Sequence, residues 1–395
     1  MNDIMTRAIE LKEEMVRNRR RLHSRPELGL SLPETSRFVE ERLEEMGCAP
    51  QRLGESGVTA LIGKRPGKTL LLRADMDALP MKEESGLEFA SETEAAAHCC
   101  GHDLHTAMLL GAARILKERE ADLCGQVKLL FQPGEETGQG ALEMIRAGAL
   151  EQPRPQGIFA LHVNAKAPAG ALGYGMGCAF SSNDSFQIRI HGRGGHGARP
   201  HETIDPIRTA VHIYHALEGL RAGEISPMEP VVLSVTAING GSSCNVLPDS
   251  ASLSGTLRAY SEAVRQKVKK RIGELAESIA ASFGAQAQVE FLNSLPPVYC
   301  SPSFTDELLG YAAQTVGAGR IASEPEVKIG SEDFAFLAEQ CPENSAYFFL
   351  GAGPNEREGF PWGQHSARVV FNEDVLPLGA AVFAACALGW LGNGR

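Results

Sequence analysis

The sequence lacks any run of about 18 uninterrupted apolar residues, the length that a membrane-spanning helix requires. It also lacks the apolar segment of a signal peptide. The N-terminal stretch MNDIMTRAIELKEEMVRNRRRLH is instead a charged amphipathic helix pattern, with Leu11, Met15 and Leu22 on one side. These two absences predict a cytoplasmic protein that has no membrane partner.

The chain has no excess of positive charge. Its 38 Lys and Arg residues are outnumbered by 49 Asp and Glu residues, and the formal net charge of -11 is spread without an acidic tail. This balance disfavours a nucleic-acid partner. The nine cysteines are odd in number and lack framework spacing, so we expect no disulfides and thiols that are free to act as metal ligands or nucleophiles.

The domain organisation follows from length and from a change in pattern along the chain. With 395 residues, the chain exceeds the size at which one core usually stops growing. Strands alternating with helices predict an α/β domain with a mostly parallel sheet, whereas residues 184–295 show a βαββαβ order that is typical of a ferredoxin-like domain. We therefore predict a discontinuous first domain at residues 1–183 and 296–395, with the second domain inserted into it.

Three apolar, strand-like runs of the first domain end in reactive side chains. KTLLLRADMD ends in Asp75 and Asp77, VKLLFQPGEE ends in Glu135 and Glu136, and GIFALHV carries His162 near its end. Ligands of parallel sheets bind just beyond the carboxyl ends of the strands. We therefore expect these side chains to meet in one crevice.

The stretch HCCGHDLH is rich in potential metal ligands. Cys100 and His102 flank Gly101, so both side chains can reach one ion, and a thiolate with an imidazole suits zinc and other borderline metals. The same pair also fits a buried cysteine at a helix start followed by a capping histidine. The pair alone leaves both interpretations open.

The adjacent acids Glu135 and Glu136 follow a strand and a Pro-Gly turn, so their side chains point in different directions. One can bind metal while the other takes a proton from water, which is the division that metal-assisted hydrolysis requires. A solvated turn is the alternative. His162 and His365 taken singly fit core histidines equally well, but together with the other residues they complete a set sufficient for two metals.

Three further candidates lie in the inserted domain. HGRGGHGARPHETIDP centres on His196, and it fits a flexible hairpin tip or an anion-binding glycine loop, but not a phosphate loop, because no Lys-Ser/Thr follows. Asn245 and Arg258 lie near probable strand ends. Arginine is the side chain best suited to grip a carboxylate, although a single exposed arginine also fits an ordinary surface position.

With these residues in hand, the sequence resembles the M20 family of metal-dependent peptidases and amidohydrolases, specifically its aminoacylase, hippurate hydrolase and IAA-amino acid hydrolase branch. The resemblance runs nearly end to end, in the order RRRLHSRPELGLSLPET, LLLRADMDALP, HCCGHDLHTAML, LLFQPGEETGQGA, FALHV, GRGGHGARPHETIDPI, INGGSSCNVLPD, GTLRAY, GSEDFAFL and HSARVVFNED. It implies a zinc-peptidase-like catalytic domain with an inserted ferredoxin-like domain that serves as lid and dimer interface.

The resemblance also implies a site for two divalent cations, which would be Zn, Mn, Ni or Co. Cys100 would bridge both, His102 and His162 would complete one site, and Glu136 and His365 the other. Glu135 would be the general base.

Further roles follow from the same resemblance. Asp77 matches an aspartate that orients a ligand, and Asp75 stands where the wider family has a metal-binding histidine. His196 matches a histidine that crosses a dimer interface to stabilise the oxyanion. Asn245 and Arg258 match substrate-holding positions, with Arg258 on the free carboxylate.

The resemblance gives the remaining His and Cys residues of HCCGHDLH no direct part in metal binding or catalysis. His98 and His105 match as supporting or structural residues, and Cys99 has no assigned role.

The predicted function is hydrolysis of the amide bond of N-acyl amino acids by a homodimer or tetramer acting on small molecules. A dipeptidase or carboxypeptidase of the same family is the near alternative. A cysteine amidase, with Cys100 as nucleophile and His102 as base, would leave the glutamates without a role, and residues two apart rarely form such a pair. A non-catalytic metal- or ligand-binding protein is the third alternative.

Overall fold

The computed structural model describes residues 2–354 and 361–392. Its α-helices are α1 Asn2–Glu10, α2 Lys12–Ser24, α3 Pro33–Glu45, α4 His102–Glu118, α5 Gly140–Arg146, α6 Pro206–Glu224, α7 Glu262–Ser282, α8 Pro302–Val316, α9 Phe334–Ala338 and α10 Leu376–Gly392. Its strands are β1 Gln51–Leu53, β2 Gly57–Ile62, β3 Lys68–Asp75, β4 Gly125–Gln132, β5 Gly157–Asn164, β6 Leu172–Tyr174, β7 Gly177–Phe180, β8 Asn183–His191, β9 Gly195–His196, β10 Val231–Gly240, β11 Val246–Leu247, β12 Ser250–Ala259, β13 Gln286–Leu295, β14 Val298–Cys300 and β15 Ser345–Gly351.

The chain divides into two compact units. The first unit comprises residues 1–179, 299–327 and 333–395, and the second comprises residues 180–298 and 328–332. Each unit has its own apolar core. All nine cysteines are free thiols, as predicted.

The first unit is built on a seven-stranded sheet in the order β1-β2-β4-β3-β5-β15-β6. Its four central strands, β4, β3, β5 and β15, are parallel, while the flanking pairings are antiparallel. The central strands are apolar and buried along nearly their whole length, as expected when both faces of a parallel sheet are covered. The predicted α/β class is confirmed, with the parallel arrangement confined to the centre of the sheet.

Helix α10 lies in the core of the first unit. By length and composition the segment Glu373–Gly392 could cross a membrane, but 83% of its apolar window is buried inside the protein. A helix that is apolar all round and buried is typical of the centre of a large core. Its close approach to α4 depends on Gly379, since a Cβ there would lie 2.0 Å from the sulfur of Met108.

The N-terminal segment forms two helices where the periodicity predicted one. The helices α1 and α2 are separated at Leu11. Leu11, Met15 and Leu22 are nevertheless all buried, so the predicted apolar side is correct and only the helix continuity differs.

The second unit contains an antiparallel sheet in the order β10-β12-β8-β13. The chain order β8-α6-β10-β12-α7-β13 is the predicted βαββαβ order, and the strand order is that of a ferredoxin-like domain. Residues alternate along β12, with Leu253 and Leu257 buried against the core of this unit. Ser261 caps the start of α7, because its hydroxyl accepts from the Val264 amide over 3.4 Å.

A buried ionic cluster ties three elements of the second unit together. Asp184 at the start of β8 accepts from Nε of Arg265 over 2.7 Å, from Nζ of Lys269 over 2.9 Å and from the Ser294 hydroxyl over 2.6 Å. Burial alone raises the pKa of Asp184, but the hydrogen bonds from Arg265, Ser294 and Lys269 outweigh it and lower that pKa. The carboxylate therefore stays charged between β8, α7 and β13.

Candidate metal centre

The start of α4 places Cys100 and His102 side by side. Gly101 precedes the helix with φ 101°, a left-handed conformation that glycine adopts without strain. A Cβ on Gly101 would also lie 2.4 Å from a methyl group of Val163. Glycine is therefore needed at this position both for the turn into the helix and for the packing of β5 against it.

The structure brings Cys100, His102 and His162 together, and we call these three residues the first donor group. One potential ligand atom from each lies within 4.8 Å of the others, and Cys100 Sγ is 3.4 Å from His162 Nε2. Nδ1 of His102 is 2.8 Å from the carbonyl of Asp77, and Nδ1 of His162 is 2.6 Å from the carbonyl of Val163. A carbonyl only accepts, so both Nδ1 atoms carry hydrogen, and in the neutral rings both Nε2 atoms present lone pairs.

Cys100, Glu136 and His365 form the second donor group, which shares Cys100 with the first. Their potential ligand atoms again lie within 4.8 Å of one another, and His365 Nε2 is 3.4 Å from a Glu136 oxygen. The backbone N–H of His365 donates to the carbonyl of Cys99 over 2.9 Å, and His365 has φ 65°. This contact fixes a residue from far along the chain beside the start of α4.

Two buried atoms of the donor groups test whether divalent cations fit here. Nε2 of His102 and Oε1 of Glu136 are buried without a hydrogen-bond partner among the described residues, and they lie 3.9 Å apart. Buried polar atoms are rarely left unsatisfied in folded proteins. A thiol, three imidazoles and a carboxylate are donors that borderline divalent metals accept, so the donor set fits such ions.

The electrostatics of the two donor groups also favour bound divalent cations. Close contacts with Cys100 and Glu136 raise the pKa of His365 to about 10, and burial raises the pKa of the Cys100 thiol. Metal ligation needs a thiolate and a neutral imidazole. A divalent cation would supply the positive charge that otherwise sits on His365, and it would favour the thiolate.

Asp77 holds the turn that carries the two glutamates. Its two carboxylate oxygens accept from the backbone N–H groups of Glu135 and Glu136, each over 3.0 Å. Gly134, with φ 72°, starts this turn. Glu135, Glu136 and His102 each place a potential ligand atom within 4.8 Å of the others, so Glu135 lies at the edge of the donor groups.

A buried network that was not predicted from the sequence lies next to the donor groups. Arg73 donates to Asp75 over 2.7 Å and to Asp333 over 3.0 Å, and Asp75 also lies 2.5 Å from Nδ1 of His105. Burial raises the pKa of Asp75, but His102, Arg73 and His105 outweigh it and hold that pKa well below its usual range. The signal was Arg73 itself, because a charged residue within an apolar strand must be paired when buried.

Two other residues of the stretch HCCGHDLH, His98 and Cys99, lie outside both donor groups. His98 is buried, and neither ring nitrogen has a hydrogen-bond partner in the part of the chain that the structure describes. Burial lowers the pKa of His98 to about 3, so its ring is neutral. Cys99 is also buried, and burial raises the pKa of its thiol to about 12.

The three candidates of the inserted domain lie in the second unit. His196 and Asn245 meet where β9 pairs with β11, and the N–H of Gly197 donates to the Asn245 carbonyl over 2.8 Å. Both residues are exposed. Arg258 lies on β12 opposite Val232; it is half-buried, and burial lowers its pKa. The structure thus joins His196 to Asn245 and places Arg258 on a different strand pair.

The chain is similar to proteins of one known family. Residues 71–389 match the model of peptidase family M20/M25/M40. The chain belongs to this family. It is 38% identical over 386 residues to thermostable carboxypeptidase 2 of Saccharolobus solfataricus, covering 96% of each chain. It is 36% identical over 379 residues to the N-acetylcysteine deacetylase of Bacillus subtilis, covering 95% of this chain and 96% of the relative.

A solved structure of the family supports the fold. The chain superimposes on a dinuclear metal binding peptidase of the M20 family from Bacillus subtilis with a TM-score of 0.82 and 32% identity. The match covers 97% of this chain and 99% of the other. The fold class and the family resemblance inferred from the sequence are both confirmed.

Proposed function

We propose that the protein is a dinuclear metal-dependent amidohydrolase that cleaves the amide bond of N-acyl amino acids. In this proposal Cys100, His102 and His162 would hold one cation, and Glu136 and His365 together with Cys100 would hold the other. Support comes from the two donor groups, which share one thiol and include two buried atoms without partners.

Glu135 is the proposed general base. Bound divalent cations would supply Lewis acidity to the scissile carbonyl and to the attacking water. Glu135 accepts the proton of that water and then delivers it to the leaving nitrogen. Asp77 fixes both backbone amides of the glutamate pair, so that Glu136 can face the donors while Glu135 faces the substrate. This arrangement of Glu135 beside the donor groups is the observation that carries the proposal.

Residues of the second unit are proposed to bind the rest of the substrate. Nδ1 of His196 accepts from the N–H of Ala198 over 3.1 Å, so in the neutral ring Nε2 carries the hydrogen and can donate to a developing oxyanion. The guanidinium of Arg258 has no hydrogen-bond or ion-pair partner among the described residues, which leaves it available for a substrate carboxylate. Asn245, beside His196, would hold the acyl amide.

An N-acyl amino acid and an N-blocked peptide share the bond that would be cut, namely the amide before a free C-terminal amino acid. The two activities therefore differ only in what stands on the acyl side. The N-acetylcysteine deacetylase relative favours the acyl substrate, whereas the carboxypeptidase relative favours the peptide. We place the acyl substrate first and keep carboxypeptidase or dipeptidase activity as the second candidate.

The cysteine amidase alternative is not supported. Burial raises the pKa of Cys100, which opposes the thiolate that a nucleophile needs. Glu135 and Glu136 would also have no role in that mechanism. A non-catalytic binding protein would leave the placement of Glu135 without a purpose.

Assembly and location are also proposals. The edge strand β10 is ten residues long and exposes Val232 and Ile238, and an unpaired apolar edge favours pairing with a second copy. We propose a homodimer through this edge, or a tetramer built from such dimers. The nine free thiols favour the reducing cytoplasm. Zn, Mn, Ni and Co all remain candidates for the cations.

The test uses purified, chelated protein restored with one metal at a time. The substrates are hippurate, N-acetylmethionine, N-acetyl-diaminopimelate, an N-acetyl dipeptide and an unblocked dipeptide. We expect metal-dependent release of the amino acid from the acyl substrates. Glu135→Gln should lose at least about 100-fold in kcat while it retains both cations, because general-base catalysis contributes about 10²–10⁴-fold.

Glu277→Gln, an exposed change on α7, is the matched control and should leave kcat unaltered. Faster release of the C-terminal residue from the N-acetyl dipeptide would make the protein a carboxypeptidase. Activity that survives chelation but is lost on thiol alkylation would refute the proposal.

A further inference from the structure

The backbone N–H and carbonyl of Val163 are bonded by three side chains. Its N–H donates to Nε2 of His105 over 2.9 Å. Its carbonyl accepts from Nδ1 of His162 and from Nε2 of Gln364, each over 2.6 Å. The pairing of β3 with β5 stops at Ala160, so side chains take over where the β3 ladder has ended.

These bonds determine the protonation of His105. A backbone N–H can only donate, so Nε2 of His105 must accept and Nδ1 must carry the hydrogen. That hydrogen is donated to Asp75 Oδ1 over 2.5 Å, and the other Asp75 oxygen accepts from Arg73 over 2.7 Å. Both ring nitrogens of His105 and both oxygens of Asp75 are thus engaged in hydrogen bonds, and all three side chains are buried.

We propose that Asp75 and His105 are positioning residues that hold the backbone of Val163, so that His162 and, through Gln364, the segment of His365 face the donor groups. The inference rests on the proposed function for the role of His162 as a ligand. It assigns Asp75 to hydrogen bonding rather than ligation, because the charged Arg73 guanidinium occupies one face of its carboxylate.

The contact between the two histidine rings strengthens this assignment. The rings of His105 and His162 meet edge to face, with centroids 4.4 Å apart. His105 therefore supports His162 twice, by packing against its ring and by bonding the N–H of Val163, the residue whose carbonyl accepts from His162 Nδ1. Loss of an outer hydrogen bond of this kind typically weakens metal affinity by about 10–100-fold.

Two substitutions of His105 separate its two bonds. The amide oxygen of Gln reaches about as far as Nε2, so His105→Gln can still accept from Val163. The amide nitrogen of Asn lies near Nδ1, so His105→Asn can still donate to Asp75 but cannot reach Val163. We expect His105→Asn to weaken Zn binding by about 10–100-fold in competition with a chromogenic chelator, and His105→Gln to recover most of that loss.

A second readout needs neither metal nor turnover. In the metal-free protein, hydrogen exchange of peptides that cover β5 should show faster exchange of the Val163 amide in His105→Asn than in His105→Gln. Equal exchange and equal Zn affinity in the two variants would overturn the proposal.

Asp75→Asn tests ligation directly. The amide oxygen of Asn can still accept from His105, so we expect two cations per chain with reduced affinity and faster Val163 exchange. Loss of one cation per chain with unaltered exchange would instead make Asp75 a ligand and refute the positioning role.

A third variant covers the case in which His105→Asn fails to fold. Gln364→Met, at a half-exposed position, removes one bond to the Val163 carbonyl and should weaken Zn binding as well. Unaltered Zn affinity there would count against the proposal. Failure of the proposed function looks different: the wild type would cleave no substrate while these differences in exchange persisted.

Discussion

Both carboxylate oxygens of Asp77 accept from backbone amides, those of Glu135 and Glu136, and a prediction for this single residue follows. In Asp77→Asn, the side-chain NH₂ would face the N–H of Glu135 or Glu136, donor against donor. We expect kcat to fall by about 10–100-fold because the glutamate turn loses its fixed orientation. Steady-state kinetics with cation content measured alongside would check this.

Asp122→Asn is the control for that variant, since Asp122 is exposed and bonds only to Arg119 among the contacts described for it. An Asp77→Asn enzyme with wild-type kcat would show that the turn is held by other contacts.

Gly101 combines a left-handed backbone with a crowded position, and the two effects can be separated. Gly101→Ala should lower the cation content and destabilise the fold, because its Cβ would meet Val163 at 2.4 Å. Gly86→Ala is the matched comparison: its φ is +74°, but nothing lies within 4 Å of the added Cβ. That variant should show only the backbone cost, of order 1–3 kcal/mol.

Thermal unfolding and cation content of the two alanine variants would measure the difference. Equal losses of both quantities would mean that backbone strain, and not the contact with Val163, explains the glycine.

At the residue scale, the sequence could nominate side chains but not their partners. The strand-end position of Asp75 was visible in the sequence, whereas its bond to His105 depends on how α4 sits against β3. The metal roles of Cys100, His102 and His162 stay predictions, although the structure places them together. Their spacing along the chain carries no distance information.

At the scale of elements, the crossing of α4 and α10 depends on Gly379. Gly379→Val should destabilise the first unit by about 1–3 kcal/mol, because the added side chain meets Met108 in a packed core. Gly273→Ala on α7 is the control, as nothing lies within 4 Å of its Cβ. That change should be neutral or stabilise by up to about 1 kcal/mol.

Urea unfolding at fixed metal concentration would measure both variants. A Gly379→Val protein as stable as the wild type would mean that α10 can shift without cost.

The elements were the most predictable level of this protein. The βαββαβ order of the second unit was visible in the sequence, and the structure has it in β8-α6-β10-β12-α7-β13. The break at Leu11 and the antiparallel flanks of the large sheet were not predictable, because apolar periodicity does not report helix continuity or strand direction. Tertiary packing determines which strands pair and in which direction.

At the scale of the whole molecule, cation removal should lower stability. A ligand that binds only the folded state stabilises it by about 2.7 kcal/mol at a concentration 100 times its Kd. We expect chelation to lower the Tm and stoichiometric Zn or Mn to restore it, as calorimetry would show. An unchanged Tm after verified removal of the cations would contradict a site built within the folded first unit.

Low pH should destabilise the second unit by protonating Asp184. Its pKa is lowered on folding, so the stability that it contributes is present above the unfolded value of about 3.9 and is lost as pH falls through the folded pKa. Arg265→Met should remove much of this acid-sensitive stability, because it deletes the guanidinium that bonds Asp184. Unfolding followed between pH 5 and pH 2 would test it, and identical profiles would refute it.

The two donor groups also differ in when a ribosome produces them. Cys100, His102 and His162 are all present once residue 162 has been added, but His365 follows only after the entire second unit has been translated. At 5–20 residues per second, that interval lasts roughly 10–40 s. A nascent chain therefore carries a complete first donor group long before the second can close.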